Sequence, residues 1–397
     1  MRDTALKFGA FIVPFHSVRE DVTTLLHRDL DVTVHLDRIG YDEVWYGEHH
    51  SGGMEIIAAP EVFAGIASER TKHIKLGTAV VSLPYQHPFM LADRIVMLDH
   101  LTRGRFLFGV GPGALTSDAV QMGIDPLKQR PMMVEAIEAI VRLFRGEIVT
   151  MKTDWFELRE ARLQLPNYSS PHVDMTVAVG ASPAGAVAAG QFGLGVLNIS
   201  GVSDAVLQLN VGHWQITQET AREYGQAVDR SRWRIASLIH LAETRERAIE
   251  EVQHGLDEWV QYFREVSSFA IVPSNIADPL EYLLGERMAA IGTPDDAIRH
   301  IERIWDATGG FGVHLELVHN WANPEATLRS HELMMRYVKP HFRDGFASRR
   351  QNWTWCHSHM KEFANSRNVA VQVETERHER ERAKKVKVAR GRAAPWR

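Results

Sequence analysis

Leu6-Lys7-Phe8-Gly9-Ala10-Phe11-Ile12-Val13, then an amphipathic stretch from Val22 to Ile39, then Glu43-Val44-Trp45-Tyr46: this opening reads as strand, helix, strand. The same alternation continues. Further strand candidates are His73–Leu83, Arg105–Val110, Met175–Val179, Gly195–Ile199, Arg234–Leu241 and Gly312–Val318, which brings the total to eight. Helix candidates separate them at Ala58–Glu69, Phe89–Leu101, Pro131–Phe144, Pro183–Gln191, Asp204–Tyr224, Arg245–Arg264, Pro294–Thr308 and Pro324–Tyr337. Several open on proline, whose fixed φ suits a first helical turn. Eight strand-helix units predict an α/β fold of the (β/α)8 TIM barrel type. An open doubly wound sheet would need a glycine-rich fingerprint after the first strand, where Pro14-Phe15-His16 stands instead.

Two insertions interrupt the rhythm. Residues 147–171 read as a hairpin-like excursion, and 267–291 as a long, weakly periodic loop placed where a mobile lid would be. The expected plan is a barrel over 1–345 and an extension over 346–397. The end of that extension carries Arg382, Lys384, Lys385, Lys387, Arg390, Arg392 and Arg397 without an acid, which predicts a solvated, partly disordered tail.

Composition narrows the function classes. With 397 residues, 45% of them hydrophobic and 24% charged, the chain can bury a large core. A net charge of -5 gives no electrostatic reason to expect nucleic acid as partner, and no run approaches the ~20 apolar residues of a membrane span. One cysteine, Cys356, excludes an internal disulfide and, with no apolar leader after Met1, suits a cytoplasmic location. Trp353, Cys356, His357 and His359 lie close together but lack a second ligand pair at zinc-like spacing, so they read as surface packing and no metal is expected. Gly-x-Ser-x-Gly and Walker-type loops are also missing, which argues against a serine hydrolase or nucleoside triphosphatase.

Barrel active sites lie at the C-terminal strand ends. There the sequence places His16, Glu48-His49-His50, Thr78-Ala79-Val80, Gly111-Pro112-Gly113, Gly180-Ala181-Ser182, Asn198-Ile199-Ser200, His240 and His319-Asn320. In an extended segment only one of His49 and His50 can face the site, which disfavours a metal site using both. His49 is a candidate acid or base with Glu48 near enough to orient it, the alternative being a packed or capping histidine. Gly180-Ala181-Ser182 before Pro183 opens a helix whose free N–H groups and dipole suit a phosphate, or it is an ordinary N-cap. Gly111 and Gly113 admit close approach of a flat ligand, or make a tight turn.

The ordered set Lys7-Phe8-Gly9, Glu43-Val44-Trp45, Glu48-His49-His50, Leu76-Gly77-Thr78-Ala79-Val80, Gly104-Arg105-Phe106-Leu107-Phe108-Gly109, Gly180-Ala181-Ser182-Pro183 and Gly292-Thr293-Pro294-Asp295-Asp296-Ala297 resembles the bacterial luciferase-like flavin monooxygenases. Gly109–Leu115 and Leu317–Ala322 are most similar to the limonene 1,2-monooxygenase branch. The resemblance covers most of residues 6–343. It implies a two-component enzyme that takes reduced FMN from a separate flavin reductase, activates O2 as a flavin C4a-hydroperoxide and oxygenates a small apolar substrate, a terpene alkene or cyclic ketone. His49 matches the catalytic histidine, Ala79-Val80 the place of a non-prolyl cis peptide beneath the flavin, Gly180, Ala181 and Ser182 the phosphate site, and 267–291 the closing loop. Phe11, Phe15, His16 and Trp45 are the expected substrate-pocket residues, and a homodimer is the expected assembly. The family also offers two alternatives: an F420-dependent hydride-transferring oxidoreductase, and a flavin-binding protein without turnover. Luciferase proper has a reactive cysteine and a phosphate-binding arginine where this chain has Gly111 and Pro112, so light emission does not carry over. Phosphate would need other groups, with Thr116 and Ser117 as candidates beside Ser182.

Overall fold

In the computed structural model, residues 6–13, 15–267, 270–343 and 345–391 are described. Eight parallel strands close on themselves: β1 (Lys7–Ile12), β2 (Glu43–Tyr46), β3 (Lys75–Thr78), β4 (Phe106–Gly111), β5 (Asp174–Val179), β6 (Gly195–Asn198), β7 (Trp233–Leu241) and β8 (Val313–Val318). Each pairs with its neighbour in sequence, and β8 returns to β1 through Lys7↔Val313 to Ile12↔Val318. Helices α1 (Val22–Ile39), α2 (Pro60–Arg70), α3 (Pro88–Thr102), α4 (Gln129–Phe144), α5 (Ala184–Phe192), α6 (Asp204–Glu223), α7 (Pro294–Thr308) and α8 (Pro324–Leu333) follow the strands in turn. The expected (β/α)8 barrel is the architecture observed.

Strand alternation explains the two cores. Phe8, Ala10 and Ile12 of β1, with Val44 and Tyr46 of β2, face the helical layer. Phe11, Trp45, Leu107, Leu197, Ala236, Val313 and Leu315 fill the barrel interior. Trp45 is the largest of these, and glycines make room for it. A β-carbon on Gly77 would overlap the indole, and one on Gly109 would overlap the Thr78 carbonyl oxygen and lie 3.1 Å from the indole. Below Trp45, Arg234 of β7 donates to Glu43 at 2.8 and 3.1 Å with both side chains enclosed, and its guanidinium lies 4.8 Å from the indole.

Two expectations need correction, and the hairpin-like reading of 147–171 holds. The segment 267–291 is not a plain loop, because it contains the Pro279–Gly285 helix and most of a short strand, Ala289–Gly292, which pairs with the outer half of β7. Ala-Ala-Ile-Gly is too short and too weakly β-forming to announce a strand. Ser268 and Phe269 of that segment lie outside the described residues. The helix expected at Arg245–Arg264 is two, Arg245–Val252 and Leu256–Glu265, broken at Gly255. A side chain on Gly255 would overlap the Asn320 carbonyl oxygen, and its N–H donates to Trp321 O at 2.9 Å. The stretch 147–171 holds an antiparallel pair, Val149–Lys152 with Glu157–Ala161.

The chain divides into two compact units, 1–343 and 344–397. The second consists of the Ala347–Ser358 and Met360–Gly391 helices. Disorder was expected near its end, yet the 32-residue helix continues to Gly391, with Arg377–Glu374, Arg377–Glu381 and Arg380–Glu376 pairs along it. Arg392 and Arg397 lie outside the described residues. Trp353, Trp355 and Cys356 are exposed, consistent with a solvated helix. Among the described residues no helix is long and apolar enough to cross a membrane.

Candidate active site

At the C-terminal end of β2 the chain leaves the sheet as Gly47-Glu48-His49-His50, and period-two alternation sends the two imidazoles apart. His49 Nε2 lies 3.0 Å from Glu55 Oε2, and Nδ1 lies 3.1 Å from Asp118 Oδ2. Burial alone would lower the His49 pKa. The charge of Glu55 and the hydrogen bonds to both carboxylates outweigh it and raise the pKa to about 10. Burial opposes ionisation of Asp118 too, but the bonds from His49 and Ser51 hold its pKa below the ordinary range. Asp118 Oδ1 also accepts from the His50 N–H at 3.1 Å and the Ser51 hydroxyl at 2.5 Å.

Glu48 does not orient His49. It pairs with His50, Oε1 to Nε2 at 3.1 Å, and accepts from the Ser82 N–H at 3.2 Å. Adjacent residues of an extended segment face opposite ways, so Glu48 and His49 cannot share a face. Burial raises the Glu48 pKa, and the bond to Glu48 raises that of His50. The His50 ring also meets Tyr85 edge-on at 5.9 Å.

The peptide bond between Ala79 and Val80 is cis. A β-carbon on Gly111 would lie 2.7 Å from Val80 Cγ2, and one on Gly113 would overlap the Tyr85 hydroxyl. Gln129 braces this wall by donating to Tyr85 Oη at 3.0 Å and Pro112 O at 2.9 Å. Val80 thus packs against Gly111, Tyr85 and Gln129 crowd Gly113, and Tyr85 links that wall to the His50 ring, while Ala79 belongs to the barrel interior.

At the start of α5, Pro183 supplies no side-chain cap to the first-turn N–H groups. Arg130 of α4 reaches this point and donates through Nε to Ser182 Oγ at 3.1 Å. Ser117 instead meets Ser51 at 2.7 Å, in the His49 cluster, and does not join Ser182. Uncapped N–H groups, a hydroxyl and a guanidinium form a donor set of the kind a phosphate requires.

The expected pocket residues scatter. Phe11 belongs to the apolar barrel interior with Ala79. Phe15 packs edge-on against Trp259, Tyr262 and Phe263 of the Leu256–Glu265 helix. Trp45 has no exposed surface and is a packing residue rather than a pocket wall. His16 turns away from the Phe15 side toward α1, with Nε2 2.9 Å from Asp29 and Nδ1 3.2 Å from Arg28. It lines a cleft of about 520 Å³ shared with Phe15, Arg28, Glu258, His319 and Asn320. Among the described residues no group of three or more histidine, cysteine, aspartate or glutamate side chains could hold a metal ion.

Sequence reading missed Glu55, Asp118, Arg130 and Tyr262. Asp118 follows the Gly-Pro-Gly at the end of β4, a position where strand-end logic could have found it. Arg130 and Tyr262 arrive from helices distant in sequence and leave no local signal.

The chain is similar to known proteins in sequence and in fold. The family model for luciferase-like monooxygenases matches residues 6–310. The chain is 42% identical over 377 residues to limonene 1,2-monooxygenase of Rhodococcus erythropolis, covering 95% of this chain and 97% of that protein. It is 40% identical over 363 residues to 4-hydroxyprotoasukamycin monooxygenase of Streptomyces nodosus subsp. asukaensis, covering 88% and 96%. The oxygenating constituent of 3,6-diketocamphane monooxygenase from Pseudomonas putida, solved in complex with FMN, shares the fold with a TM-score of 0.71, at 24% identity over 85% of this chain and 99% of that one. The chain is a monooxygenase and belongs to the luciferase-like monooxygenase family, in the branch that includes limonene 1,2-monooxygenase.

Proposed function

We propose that this protein is the oxygenase of a two-component system: it takes reduced FMN from a separate flavin reductase and uses O2 to oxygenate a small apolar substrate of the terpene alkene or cyclic ketone class. The carrying observation is the strand-end imidazole His49, held between two buried carboxylates. The names of the relatives support the substrate class, since limonene is a terpene alkene and diketocamphane a cyclic ketone. Reduced FMN would supply the electrons that activate O2.

The chain supplies the rest. Ser182, Arg130 and the N–H groups around Gly180 and Ala181 take the phosphate. Ala79, Val80, Gly111 and Gly113 offer a side-chain-poor surface to the flat ring. His49 places a positive charge and a donated proton at the mouth, where oxygen chemistry builds negative charge. The Leu256–Glu265 helix, anchored by Phe15, Trp259 and Trp321, excludes water from that end. The F420 alternative rests on the shared fold, whereas the two sequence relatives at 42% and 40% identity are monooxygenases.

A homodimer is part of the same reading. Val62 and Ile66 of α2 and Met90, Met97 and Leu101 of α3 expose apolar side chains on adjacent helices, and sedimentation showing a monomer at micromolar concentration would remove it.

The direct test is rapid mixing of the protein, chemically reduced FMN and oxygenated buffer. Protein should delay the return of the oxidised flavin band relative to free FMN, and limonene or a bicyclic ketone should then yield an oxygenated product. Oxidation at the free-flavin rate throughout pH 6–9 sinks the proposal.

A further inference from the structure

His49 has no free ring nitrogen, and the partner on Nε2 is itself held from a third direction. Tyr262 of the Leu256–Glu265 helix donates to Glu55 Oε1 at 2.8 Å, while Glu55 Oε2 meets His49 Nε2 at 3.0 Å. The line continues through His49 Nδ1 to Asp118 and from there to Ser51. Glu55, Asp118 and Tyr262 are all buried. Each carboxylate oxygen facing the imidazole therefore has it as partner, and each opposite oxygen has a donor of its own. A neutral imidazole carries one N–H and one lone pair, and a lone pair facing a carboxylate repels it. With both partners ionised, only the imidazolium satisfies both contacts.

We propose that Glu55, fixed by Tyr262, is a positioning residue that keeps His49 as a doubly hydrogen-bonded imidazolium, so that His49 serves as a fixed cation and proton donor rather than as a general base. The two anions on one cation leave the cluster with a single net negative charge, and Asp118 alone would not fix the Nε2 end. Through Tyr262 the helix that covers the mouth is joined to the state of His49 in two hydrogen bonds.

The groups facing His49 come from three elements: Glu55 from the segment after β2, Asp118 from the Thr116–Gln121 helix, and Tyr262, touching through Glu55. His50 also feels the charge of His49, with Glu48 and Tyr85 against the His50 ring. Burial first, and then the charge of Glu55, keeps the Tyr262 phenol protonated and hence a donor. The pKa of His49 near 10 accords with the geometry.

The proposal rests on His49 being the histidine of the reacting site, but its test needs no flavin. In the full-length protein with 15N-labelled histidine, His49 is assigned by its loss in His49→Gln and titrated by NMR. Both ring nitrogens should carry protons through pH 8 in the wild type. Tyr262→Phe keeps both carboxylates and should stay protonated through pH 8. Glu55→Gln should lower the midpoint by about two pH units, the range expected for removing one adjacent buried anion. A neutral His49 tautomer in the wild type at pH 8 overturns the proposal, and this reading stands even if Glu55→Gln fails to fold. An unshifted midpoint in folded Glu55→Gln also overturns it. If His49→Ala oxygenates normally, the reacting-site reading fails instead, while the titration result is unaffected.

Discussion

Glu43 and Arg234, 191 residues apart in sequence, form a bidentate ion pair inside the barrel at 2.8 and 3.1 Å, with Asp174 adding a second carboxylate at 3.3 Å. Burial disfavours the guanidinium charge, but Glu43 and Asp174 together hold its pKa above the ordinary value. Removing Glu43 leaves an enclosed cation with only a partly exposed partner. Glu43→Ala should therefore destabilise the fold by about 3 kcal/mol, the lower end for breaking a buried pair. Urea unfolding followed by tryptophan fluorescence measures it, and a change below about 1 kcal/mol would show that water enters the barrel floor.

Gly109 faces the interior where Thr78 O and Trp45 already stand. Since a rigid backbone atom blocks the β-carbon, Gly109→Ala should cost about 3 kcal/mol or prevent folding, as overpacking at a strand allows no side-chain escape. Gly212, in α6, has open space around its β-carbon position. Gly212→Ala is the control and should stabilise by roughly 0.5–1 kcal/mol through helix propensity. Thermal unfolding of the two variants should move in opposite directions.

In the proposed function His49 supplies charge and a proton rather than grip on the cofactor. His49→Ala should lower product yield per reduced FMN by at least about 100-fold, the usual contribution of a positioned acid, while leaving FMN affinity nearly unchanged. Coupled product analysis with fluorescence titration of FMN separates the two. Normal oxygenation in His49→Ala would refute its assignment.

Arg130 and Ser182 meet at 3.1 Å at the proposed phosphate site. Arg130→Ala should weaken FMN binding about tenfold, the loss of one partly exposed charge-assisted contact, and should leave riboflavin binding alone. If the wild type does not prefer FMN to riboflavin, the phosphate site lies elsewhere.

Asp296 closes the capping box of α7: its carboxylate accepts from the Thr293 N–H at 2.9 Å and Oγ1 at 3.0 Å, and Arg245 and Arg299 add charge. Burial opposes ionisation, yet these bonds hold its pKa at about 2 against an ordinary 3.8. A depressed carboxyl pKa stabilises the fold above the unfolded value and loses that effect as pH falls through the folded one. Asp296→Asn should thus cost roughly 1 kcal/mol at pH 7, allowing for solvent screening, with the deficit shrinking between about pH 4 and 2. A pH-independent deficit would mean that the cap, and not its charge, matters.

Much of this protein is written locally. Alternating Phe8, Ala10 and Ile12 against Gly9 and Phe11 specifies a two-faced strand, the apolar spacing of Val22–Ile39 specifies a helix, and their eightfold repetition specifies the barrel. The ordered motifs from Lys7-Phe8-Gly9 to Gly292-Thr293-Pro294 were enough to read the family, and that resemblance picked His49 from several strand-end histidines. Ala289–Gly292 was not legible, because four weakly β-forming residues become a strand only when the outer half of β7 offers an edge. The partners of His49 were not legible either. Glu55, Asp118 and Tyr262 come from three elements, and hydrogen bonds and buried charge act through space, so sequence order holds no record of which carboxylate meets which nitrogen. Trp45 shows the same limit from the opposite side: sequence placed it at the site, and only the glycines packed around it in three dimensions show that it fills the barrel instead. Periodicity and motif order therefore determined the fold and the reaction class, while tertiary packing decided which carboxylates meet the histidine, the group beside Ser182 and the course of the chain over the barrel mouth.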